Sequence, residues 1–381
     1  MNPIELYYRS FENIKKYFDS VKDNNKLLIF SRVPVLNRIQ TKLAQDIIYK
    51  ICIIIEPLAS LLIITVKLLP WCMKAAIIKR QPLSDTLYID NCPLMRGRTV
   101  SAGKYEDSID WIYSFDVDKK EWDQKKRCHC LFEYVNVWNV IQAYGLSFMA
   151  ILGAQKKLKF KYVFRTFNSF EFFLMYYVLK NIPKDITLCF CNQMDRWAVL
   201  FDNAPQTNRV LFQHGIEMPY ADWPVKFEHT NTAYVLSMEE SELLIKASFK
   251  NRPHHVYLMN PTMELTDINE DLFTVLIVGF PSYGLFENEL SLVKALTAEG
   301  IKVYLKPHPG KEDMTKYLNL EKEYPNCRII LEKMFPDVDV VCSYRSTLAV
   351  EYQAHNKFVM MYDDYPVEEM IEKIKELQKG T

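Results

Sequence analysis

The sequence predicts an α/β protein made of two doubly wound domains that face a cleft. Short apolar runs rich in β-branched and aromatic residues alternate with segments of helical periodicity, a pattern typical of parallel sheets with helices on both faces. The alternation weakens between residues 254 and 271, where Pro261 and a run of acidic residues indicate a linker. The chain has 381 residues, enough for two domains, which we place at residues 1–262 and 270–381.

The first domain is predicted to begin irregularly and then to alternate. Strands are predicted at residues 26–30, 109–115, 131–137, 162–167, 186–191, 209–213 and 234–237. Helices are predicted at residues 2–22, within 31–50, and at 138–155, 169–179, 194–201 and 239–249. Residues 81–104 are rich in Pro, Asn and Gly, and we expect a loop there.

The second domain shows the cleaner alternation. Strands are predicted at residues 273–278, 302–305, 328–331, 338–342 and 358–362. Helices are predicted at residues 287–298, 311–324, 348–354 and 367–377. The carboxyl ends of the strands in both domains would then line the cleft between them, where α/β proteins bind ligands.

Residues 51–80 include the most apolar part of the sequence. Two prolines and two charged residues interrupt it, so its uninterrupted apolar length falls short of the roughly 20 residues that a membrane-spanning helix needs. We expect a pair of helices, either buried in the core or lying on an anionic membrane surface. The second interpretation rests on basic residues on or after the segment, Lys67, Lys74, Lys79 and Arg80.

Composition argues against several classes of protein. Lys and Arg number 47, as do Asp and Glu, so no overall positive field favours nucleic acid. The 10 glycines form neither a G-x-G-x-x-G nor a G-x-x-x-x-G-K-S/T nucleotide loop. The nine cysteines contain no C-x-x-C pair, so a structural zinc site is not expected. Their odd number, without a signal peptide, indicates reduced thiols and a cytoplasmic protein.

The segment Lys306-Pro307-His308-Pro309-Gly310 is the first candidate for a functional site. It follows a predicted strand, and its two prolines fix the backbone and end that strand. The lysine and the histidine would therefore stand at the carboxyl end of a strand, where ligands bind. The alternative is an ordinary proline-rich turn with a surface lysine and an incidental histidine.

Ser343-Tyr344-Arg345-Ser346-Thr347 is a second loop of the same kind, between a predicted strand and a predicted helix. Hydroxyl groups at the start of a helix cap free N–H groups, and that end of a helix attracts anions. With Lys306 and His308 in the same sheet, we expect a phosphate site here. An ordinary helix cap is the alternative.

A third loop, His214-Gly215-Ile216-Glu217, follows the predicted strand at 209–213. Gly215 permits a sharp turn, so His214 can point into the cleft. Histidine is suited to proton transfer near neutral pH, although a loop histidine with ordinary partners is the alternative. Asp222 follows within the same polar, aromatic loop.

As a set, the three loops with Glu351 resemble the GT-B transferases that use CMP- or CDP-activated donors. These include bacterial sialyltransferases, capsule Kdo transferases and teichoic-acid glycerophosphate transferases. The matching residues are His214-Gly215, Lys306-Pro307-His308-Pro309 and Ser343-Tyr344-Arg345-Ser346-Thr347. The resemblance covers mainly residues 208–220 and 272–365, and it implies two Rossmann-like domains facing a cleft.

The resemblance also implies a role for each residue. Glu351 would bind the donor ribose, while the donor phosphates would be bound by Lys306, His308, Ser343, Arg345, Ser346 and Thr347. His214 resembles the histidine proposed as the base in the glycerophosphate branch. An acidic residue takes that role in the sialyltransferase branch, and here Glu217 or Asp222 would replace it.

No metal ion and no cofactor are expected. The lysine, the histidine and the helix N–H groups can stabilise the negative charge of the leaving nucleotide. Asp337-Val338-Asp339 has a spacing that suits a divalent metal, but it begins a strand rather than ending one.

The expected function is transfer of a sugar from a nucleotide-activated donor, a CMP-sugar, with inversion. The acceptor would be a hydroxyl of a surface polysaccharide or a lipid-linked glycan, as in capsule or lipopolysaccharide synthesis. Alternatives are a CDP-alditol phosphotransferase of the same fold, a UDP-sugar epimerase-like enzyme, and a binding module or scaffold without activity. We expect the enzyme in the cytoplasm, peripherally attached to the inner face of the cell membrane.

Overall fold

The computed structural model of the chain consists of two units, Met1–Leu258 and Met259–Thr381. The residues that it describes are 1–13, 15–16, 42–90, 109–113, 127–157, 166, 168–191, 193, 195–217, 221–260, 263–268, 272–279, 286–308, 314–331 and 334–380. Each unit contains one parallel sheet.

The first unit holds a seven-stranded parallel sheet. Its strands are β1 (Thr86–Asp90), β2 (Ile109–Tyr113), β3 (Arg127–His129), β4 (Thr187–Cys191), β5 (Asn208–Phe212), β6 (Thr232–Val235) and β7 (His255–Leu258). They lie in the order β3-β2-β1-β4-β5-β6-β7. The central strands are almost continuously apolar because both faces of a parallel sheet are covered.

Six α-helices of this unit have both ends within the described residues. They are α1 (Pro3–Arg9), α2 (Lys42–Ile77), α3 (Val137–Lys157), α4 (Ser169–Asn181), α5 (Arg196–Asp202) and α6 (Met238–Ser248), with a 3-10 helix at Leu131–Tyr134. One face of the sheet packs against a core to which α1, α3 and α4 contribute heavily. The other face carries a row of buried aromatic rings, among them Tyr88, Trp111, Phe212 and Tyr234.

The second unit holds a five-stranded parallel sheet in the order β10-β9-β8-β11-β12. Its strands are β8 (Thr274–Val278), β9 (Lys302–Lys306), β10 (Cys327–Ile329), β11 (Val340–Ser343) and β12 (Phe358–Met361). The helices are α7 (Phe286–Ala298), α8 (Thr315–Glu323), α9 (Thr347–Ala354) and α10 (Val367–Gly380).

The strands of this sheet bury alternate residues on opposite faces. Val275 and Ile277 of β8 pack with α7, α8 and α10, whereas Leu276 and Val278 pack with Tyr352 of α9 on the other side. The sheet is therefore doubly wound. The predicted α/β class with two Rossmann-like parallel sheets is confirmed.

Four sequence predictions in the first unit are wrong. Strand β1 lies inside the predicted loop at 81–104, and β7 lies inside the predicted linker. The predicted strand at 131–137 is a 3-10 helix, which begins after Cys130 because Glu133 Oε1 accepts the Cys130 N–H at 2.8 Å. The expected helix pair is a single helix, α2, which contains both Pro57 and Pro70. The predicted strands at 26–30 and, for the most part, 162–167 lie outside the described residues.

Candidate active site

In the second unit, the predicted phosphate loops lie around the point where the strand order reverses. The order changes direction between β8 and β11, so the connections that leave these two strands diverge and open a crevice at the carboxyl edge. Ser343 is the last residue of β11, and the loop continues from it to Thr347. Lys306 is the last residue of β9, the neighbour of β8, and the turn continues to His308. Two loops predicted separately from the sequence thus lie at one edge of one sheet.

Gly279, which directly follows β8, brings the lysine–histidine turn close to this edge. Its N–H donates to the Lys306 carbonyl at 2.9 Å. A Cβ atom on Gly279 would lie 3.1 Å from the Pro307 Cα and 3.2 Å from the His308 nitrogen. A side chain would therefore push the turn away from β8. Sequence reasoning missed this residue, although a lone glycine after a buried strand is a signal of close backbone approach.

Lys306 and His308 differ in their surroundings. The Lys306 ammonium donates to the Met334 carbonyl at 3.0 Å and lies 4.9 Å from the centre of the Phe335 ring. Pro307 is buried, whereas His308 is exposed at the edge of the sheet. The turn therefore presents its histidine outward and directs its lysine along the loop that precedes β11.

The serines of the second loop shape the start of α9. Ser343 is fully buried, donates to the Tyr344 carbonyl at 2.7 Å, and lies 3.0 Å from the Ser346 hydroxyl. Ser346 is the N-cap of α9, since its hydroxyl accepts the Ala349 N–H at 3.1 Å. Thr347 is the first helical residue, and Arg345 lies between the two serines, partly exposed. The cap fixes the N-terminal N–H groups of α9 at the crevice.

A stacked tyrosine pair supports this loop and was not predicted. The rings of Tyr344 and Tyr362 lie 4.2 Å apart with an interplanar angle of 23°. Asn288, in the first turn of α7, donates to the Tyr344 hydroxyl at 3.4 Å. Burial raises the pKa of Tyr344 to about 12, so it stays neutral. The stack ties the loop after β11 to the end of β12, and the hydrogen bond from Asn288 ties it to the beginning of α7.

Glu351, the expected ribose ligand, lies one turn beyond Thr347 on α9 and is buried. Its Oε2 accepts the Met263 N–H at 3.3 Å. His355 Nε2 lies 2.7 Å from the Met263 carbonyl oxygen, so α9 holds both backbone groups of this residue. The structure thus gives Glu351 a partner within its own unit.

In the first unit, two buried glutamines brace the His214–Gly215 turn. Gln193, after β4, and Gln213, after β5, each donate to the Gly215 carbonyl at 3.0 Å. Gln193 Oε1 accepts the His214 N–H at 3.3 Å, and Gln213 Oε1 accepts the Leu236 N–H at 3.0 Å. Three adjacent strand ends therefore hold the turn, with His214 half-buried on it. Neither glutamine lies in a motif that sequence reasoning could have used.

Glu217 points into the protein. It is 2% exposed, and its carboxylate accepts the Trp223 indole N–H at 3.2 Å and the Ser248 hydroxyl at 3.1 Å. Burial raises the pKa of Glu217, while hydrogen bonds from Gln193, Trp223 and Ser248 oppose that rise. The carboxylate thus anchors the loop between β5 and β6 to the end of α6.

Asp222 lies on the same loop but points into solvent. Its side chain is 71% exposed and pairs with Lys226 at 2.8 Å. The hydrogen bond and the charge of Lys226 lower the pKa of Asp222. Of the three candidates for the base, Glu217 is therefore enclosed, Asp222 is exposed and ion-paired, and His214 stands at the braced turn.

A metal site does not emerge from the side chains that are described. In those ranges, no group of three or more His, Cys, Asp or Glu side chains is arranged to hold a metal ion. The positively charged and N–H donor groups at the crevice of the second unit are instead suited to an anion such as phosphate.

Comparison with known proteins yields structural neighbours of low similarity. No family model matches the chain, and no curated protein matches its sequence. The crystal structure of TarM superposes with a TM-score of 0.37 at 12% identity, covering 54% of this chain and 51% of TarM, about half of its length. The wall teichoic acid polymerase TagF, in a crystal soaked with CDPG, superposes with a TM-score of 0.42 at 10% identity, covering 84% of this chain and 81% of TagF. Because both TM-scores are below 0.5, the fold assignment rests on the two sheets of this chain.

Proposed function

We propose that this chain is a glycosyltransferase that moves a sugar from a nucleotide-activated donor to a hydroxyl of a cell-surface glycan. The observation that carries the proposal is the arrangement at the carboxyl edge of the second sheet. There, the Gly279-supported turn with Lys306 and His308 lies near the Ser346-capped start of α9, around the reversal point of the strand order. Open α/β sheets bind phosphorylated ligands at such points.

The donor phosphates would be held by positive charge and by N–H groups. An ammonium group has three donor hydrogens, so the bond from Lys306 to Met334 is compatible with a phosphate contact. His308 and the N-terminal N–H groups of α9 would add donors aimed at the charge that develops on the leaving nucleotide. We propose that Thr347 and Arg345 complete this site and that Ser343 supports it from below. This chemistry requires no metal ion.

For Glu351, we propose a contact with the donor ribose. One of its oxygens is engaged with the Met263 N–H, and a carboxylate has two oxygens and about four acceptor positions. The support is that Glu351 lies on α9, five residues after the N-cap Ser346. This role is the one that the sequence resemblance to CMP-donor transferases implies for Glu351.

The acceptor would be activated by His214. The backbone of its turn is held by hydrogen bonds from three strand ends, which supports a fixed position for this residue. A base must come within about 3 Å of the attacking hydroxyl, directly or through one water. The enclosed Glu217 and the ion-paired Asp222 fit this role less well.

Product analysis with candidate donors tests the proposal. The purified enzyme would be incubated with a CMP-sugar, a CDP-alditol and a UDP-sugar, each with and without a lipid-linked glycan acceptor. Acceptor-dependent release of CMP and a glycosylated acceptor is the expected result. Release of CMP from a CDP-alditol, with the alditol phosphate transferred to the acceptor hydroxyl, would identify an alditol phosphotransferase. Conversion of the UDP-sugar without acceptor would identify an epimerase.

We also propose a cytoplasmic location with peripheral attachment to the inner face of the membrane through residues 51–80. The support is that α2, which contains most of this segment, exposes many large apolar side chains. A lipid-linked acceptor, such as those used for capsule or lipopolysaccharide, would then be reached at the membrane surface. Recovery of the enzyme in the membrane fraction of the cells that produce it is the corresponding test.

A further inference from the structure

Helix α2 differs from an ordinary surface helix because its exposed face is apolar, while its buried face contains Ile64 and Trp71 as well as polar side chains. Its buried positions include Glu56 and Ser60, which hydrogen-bond each other at 2.7 Å, and Glu56 also accepts the Thr166 hydroxyl at 2.6 Å. Its exposed positions carry large apolar side chains, namely Ile54, Ile55, Leu58, Leu62, Ile63, Val66, Leu69, Met73 and Ile77. A surface helix in water would instead expose polar and charged side chains.

The lysines within this stretch do not interrupt the apolar face. Lys67 forms an ion pair with Glu171 of α4 at 2.8 Å, and the Lys74 ammonium lies 5.4 Å from the centre of the Phe132 ring. Both basic groups therefore contact the first unit itself. The sequence-based expectation is that these two lysines bind anionic lipid. Their contacts with the first unit indicate that attraction between this helix and a membrane would be mainly apolar.

Helix α3 extends the same face. It is adjacent to α2, where the Thr65 and Tyr144 hydroxyls lie 3.1 Å apart. No charged residue occurs between Glu133 and Lys156 in the sequence. Its exposed apolar side chains are spaced at helical intervals and are Trp138, Ile141, Phe148, Met149 and Leu152.

Both helices are long and apolar enough to cross a membrane in the ranges Ile54–Ile77 and Val137–Ala154. Their inner faces are nevertheless attached to the first unit. The Tyr8 hydroxyl donates to the Ala150 carbonyl of α3 at 2.6 Å, as the Glu56–Thr166 and Lys67–Glu171 contacts attach α2. A helix that spans a membrane is surrounded by lipid or by other membrane helices at the middle of the bilayer. One side of α2 and one side of α3 instead pack against the rest of the first unit, so both helices are suited to lie along the membrane interface.

We propose that the outer faces of α2 and α3 form one lipid-binding surface, with both helices lying in the plane of the membrane. This inference extends the peripheral attachment through residues 51–80 and does not depend on the transferase chemistry. It adds α3 to the contact and assigns an orientation to both helices. We refer to the apolar residues named above on both helices as the α2–α3 face.

Charge favours lipid over a second copy of the chain as the occupant. Lys50 and Lys79 are exposed toward opposite ends of the apolar stretch of α2, and the acidic residue between them in the sequence, Glu56, is buried. Two copies joined through this face in an antiparallel manner would bring these positive ends together. Anionic headgroups at the rim of the face would instead be attracted to them.

Flotation with vesicles tests the proposal on the full chain. The vesicles would contain phosphatidylcholine alone or phosphatidylcholine with phosphatidylglycerol, and the variants would be Leu62→Asp in α2 and Met149→Asp in α3. Leu331→Asp is the matched control, since Leu331 is 59% exposed and Leu62 is 65% exposed. Each helix variant should lower vesicle partitioning by about tenfold or more, because its apolar side chain leaves the acyl region. The control should bind as the wild type does, and circular dichroism should show that all variants are folded.

The expected pattern is binding to both vesicle types, tighter with phosphatidylglycerol. Labels at positions 54, 66 and 77 should all be quenched at one shallow depth. Loss of binding only in Leu62→Asp would overturn the two-helix face, and quenching depths that differ strongly among the labels would overturn the in-plane orientation. Failure of the wild type to float, with a dimer that Leu62→Asp dissociates, would assign the face to a second copy and overturn the proposal.

Discussion

At the residue scale, the base of the proposed reaction can be chosen from the surroundings of three side chains. Glu217 is enclosed by Trp223, Ser248 and Gln193, so its carboxylate is used to hold its loop. Asp222 is exposed, and its lowered pKa makes its carboxylate a weaker proton acceptor. His214 stands on the turn that Gln193 and Gln213 brace. We therefore propose His214 as the base.

Substitution of the three residues at saturating donor separates these assignments. His214→Ala should lose turnover by about a hundredfold or more while keeping nucleotide affinity, because general base catalysis contributes about that much. Asp222→Asn should keep turnover near the wild-type value. Initial rates of nucleotide release report the difference. A nearly inactive Asp222→Asn or Glu217→Gln with an active His214→Ala would assign the base to a carboxylate.

Because the carboxylate of Glu217 is buried, its ionisation should change the stability of the folded chain as pH changes. Its pKa in the folded chain is raised above the ordinary value of 4.5, so the folded state holds the proton more tightly than the unfolded state. The resulting stabilisation is fully present below the unfolded pKa and is lost as pH rises through the folded pKa. The glutamine in Glu217→Gln does not ionise, so the stability of this variant does not fall in that way as pH rises.

The melting temperature of Glu217→Gln relative to the wild type should therefore increase between acidic and neutral pH. Thermal unfolding followed by circular dichroism across that range measures it. Asp222→Asn is the control with the opposite trend, since Asp222 has a lowered pKa. If the difference in melting temperature between Glu217→Gln and the wild type stayed constant with pH, it would contradict the raised pKa of the buried Glu217.

The donor side can be tested at His308, which is exposed at the end of β9. His308→Ala should fold normally because little packing is lost. It should lower kcat by about a hundredfold or more, since loss of a donor to developing charge typically costs that much. His254→Ala, another exposed histidine, is the matched control. Turnover of His308→Ala close to that of the control would remove His308 from the site.

At the element scale, all five strands of the second sheet were predictable from the sequence. Runs such as Thr274–Val278 and Thr187–Cys191 are apolar on both faces, which parallel sheets require, so they stand out without any partner being known. The sequence predictions failed where tertiary contacts determine the local structure. Strand β7 lies at the sheet edge with Tyr257 and Leu258 exposed, and its short apolar run at residues 256–259 falls inside the predicted linker. In α2, packing against the first unit accommodates prolines that were expected to divide it.

The candidate site was predictable only where a residue type carried the chemistry. The loops with Lys306, His308 and Ser346 could be found because prolines and hydroxyl groups follow apolar runs. Gly279 and the bracing glutamines act through contacts between strand ends that are far apart in sequence, and such contacts become visible only in the folded sheet.

Gly279→Ala tests the contact between β8 and the lysine–histidine turn. The added Cβ would approach the backbone of Pro307 and His308 to about 3.1–3.2 Å, so the turn must move. We expect a loss of stability of about 1–3 kcal/mol and a weaker affinity for nucleotide. Gly145→Ala is the matched control, because its Cβ would meet nothing within 4 Å and alanine favours a helix by about 1 kcal/mol. Urea unfolding and nucleotide titration of both variants decide the matter; an unchanged affinity in Gly279→Ala would contradict the role of the close contact.

At the scale of the whole molecule, the chain combines two parallel sheets with an apolar helical face on the first unit. Each sheet offers a set of polar loops at its carboxyl edge, one around His214 and one around His308. A transferase needs both a donor site and an acceptor site, and a lipid-linked acceptor would be found where the α2–α3 face binds. The proposed function accounts for all three features.

The proposed function requires the carboxyl edge of the second sheet to bind the nucleotide of the donor. Thermal unfolding in the presence of CMP, CDP, UDP or GDP measures this directly, because a ligand at a hundred times its Kd stabilises the folded state by about 2.7 kcal/mol. We expect CMP or CDP to raise the melting temperature of the wild type and of His214→Ala, and to leave that of His308→Ala nearly unchanged. A wild type that no nucleotide stabilises, or a full shift retained in His308→Ala, would contradict the assignment of the donor site.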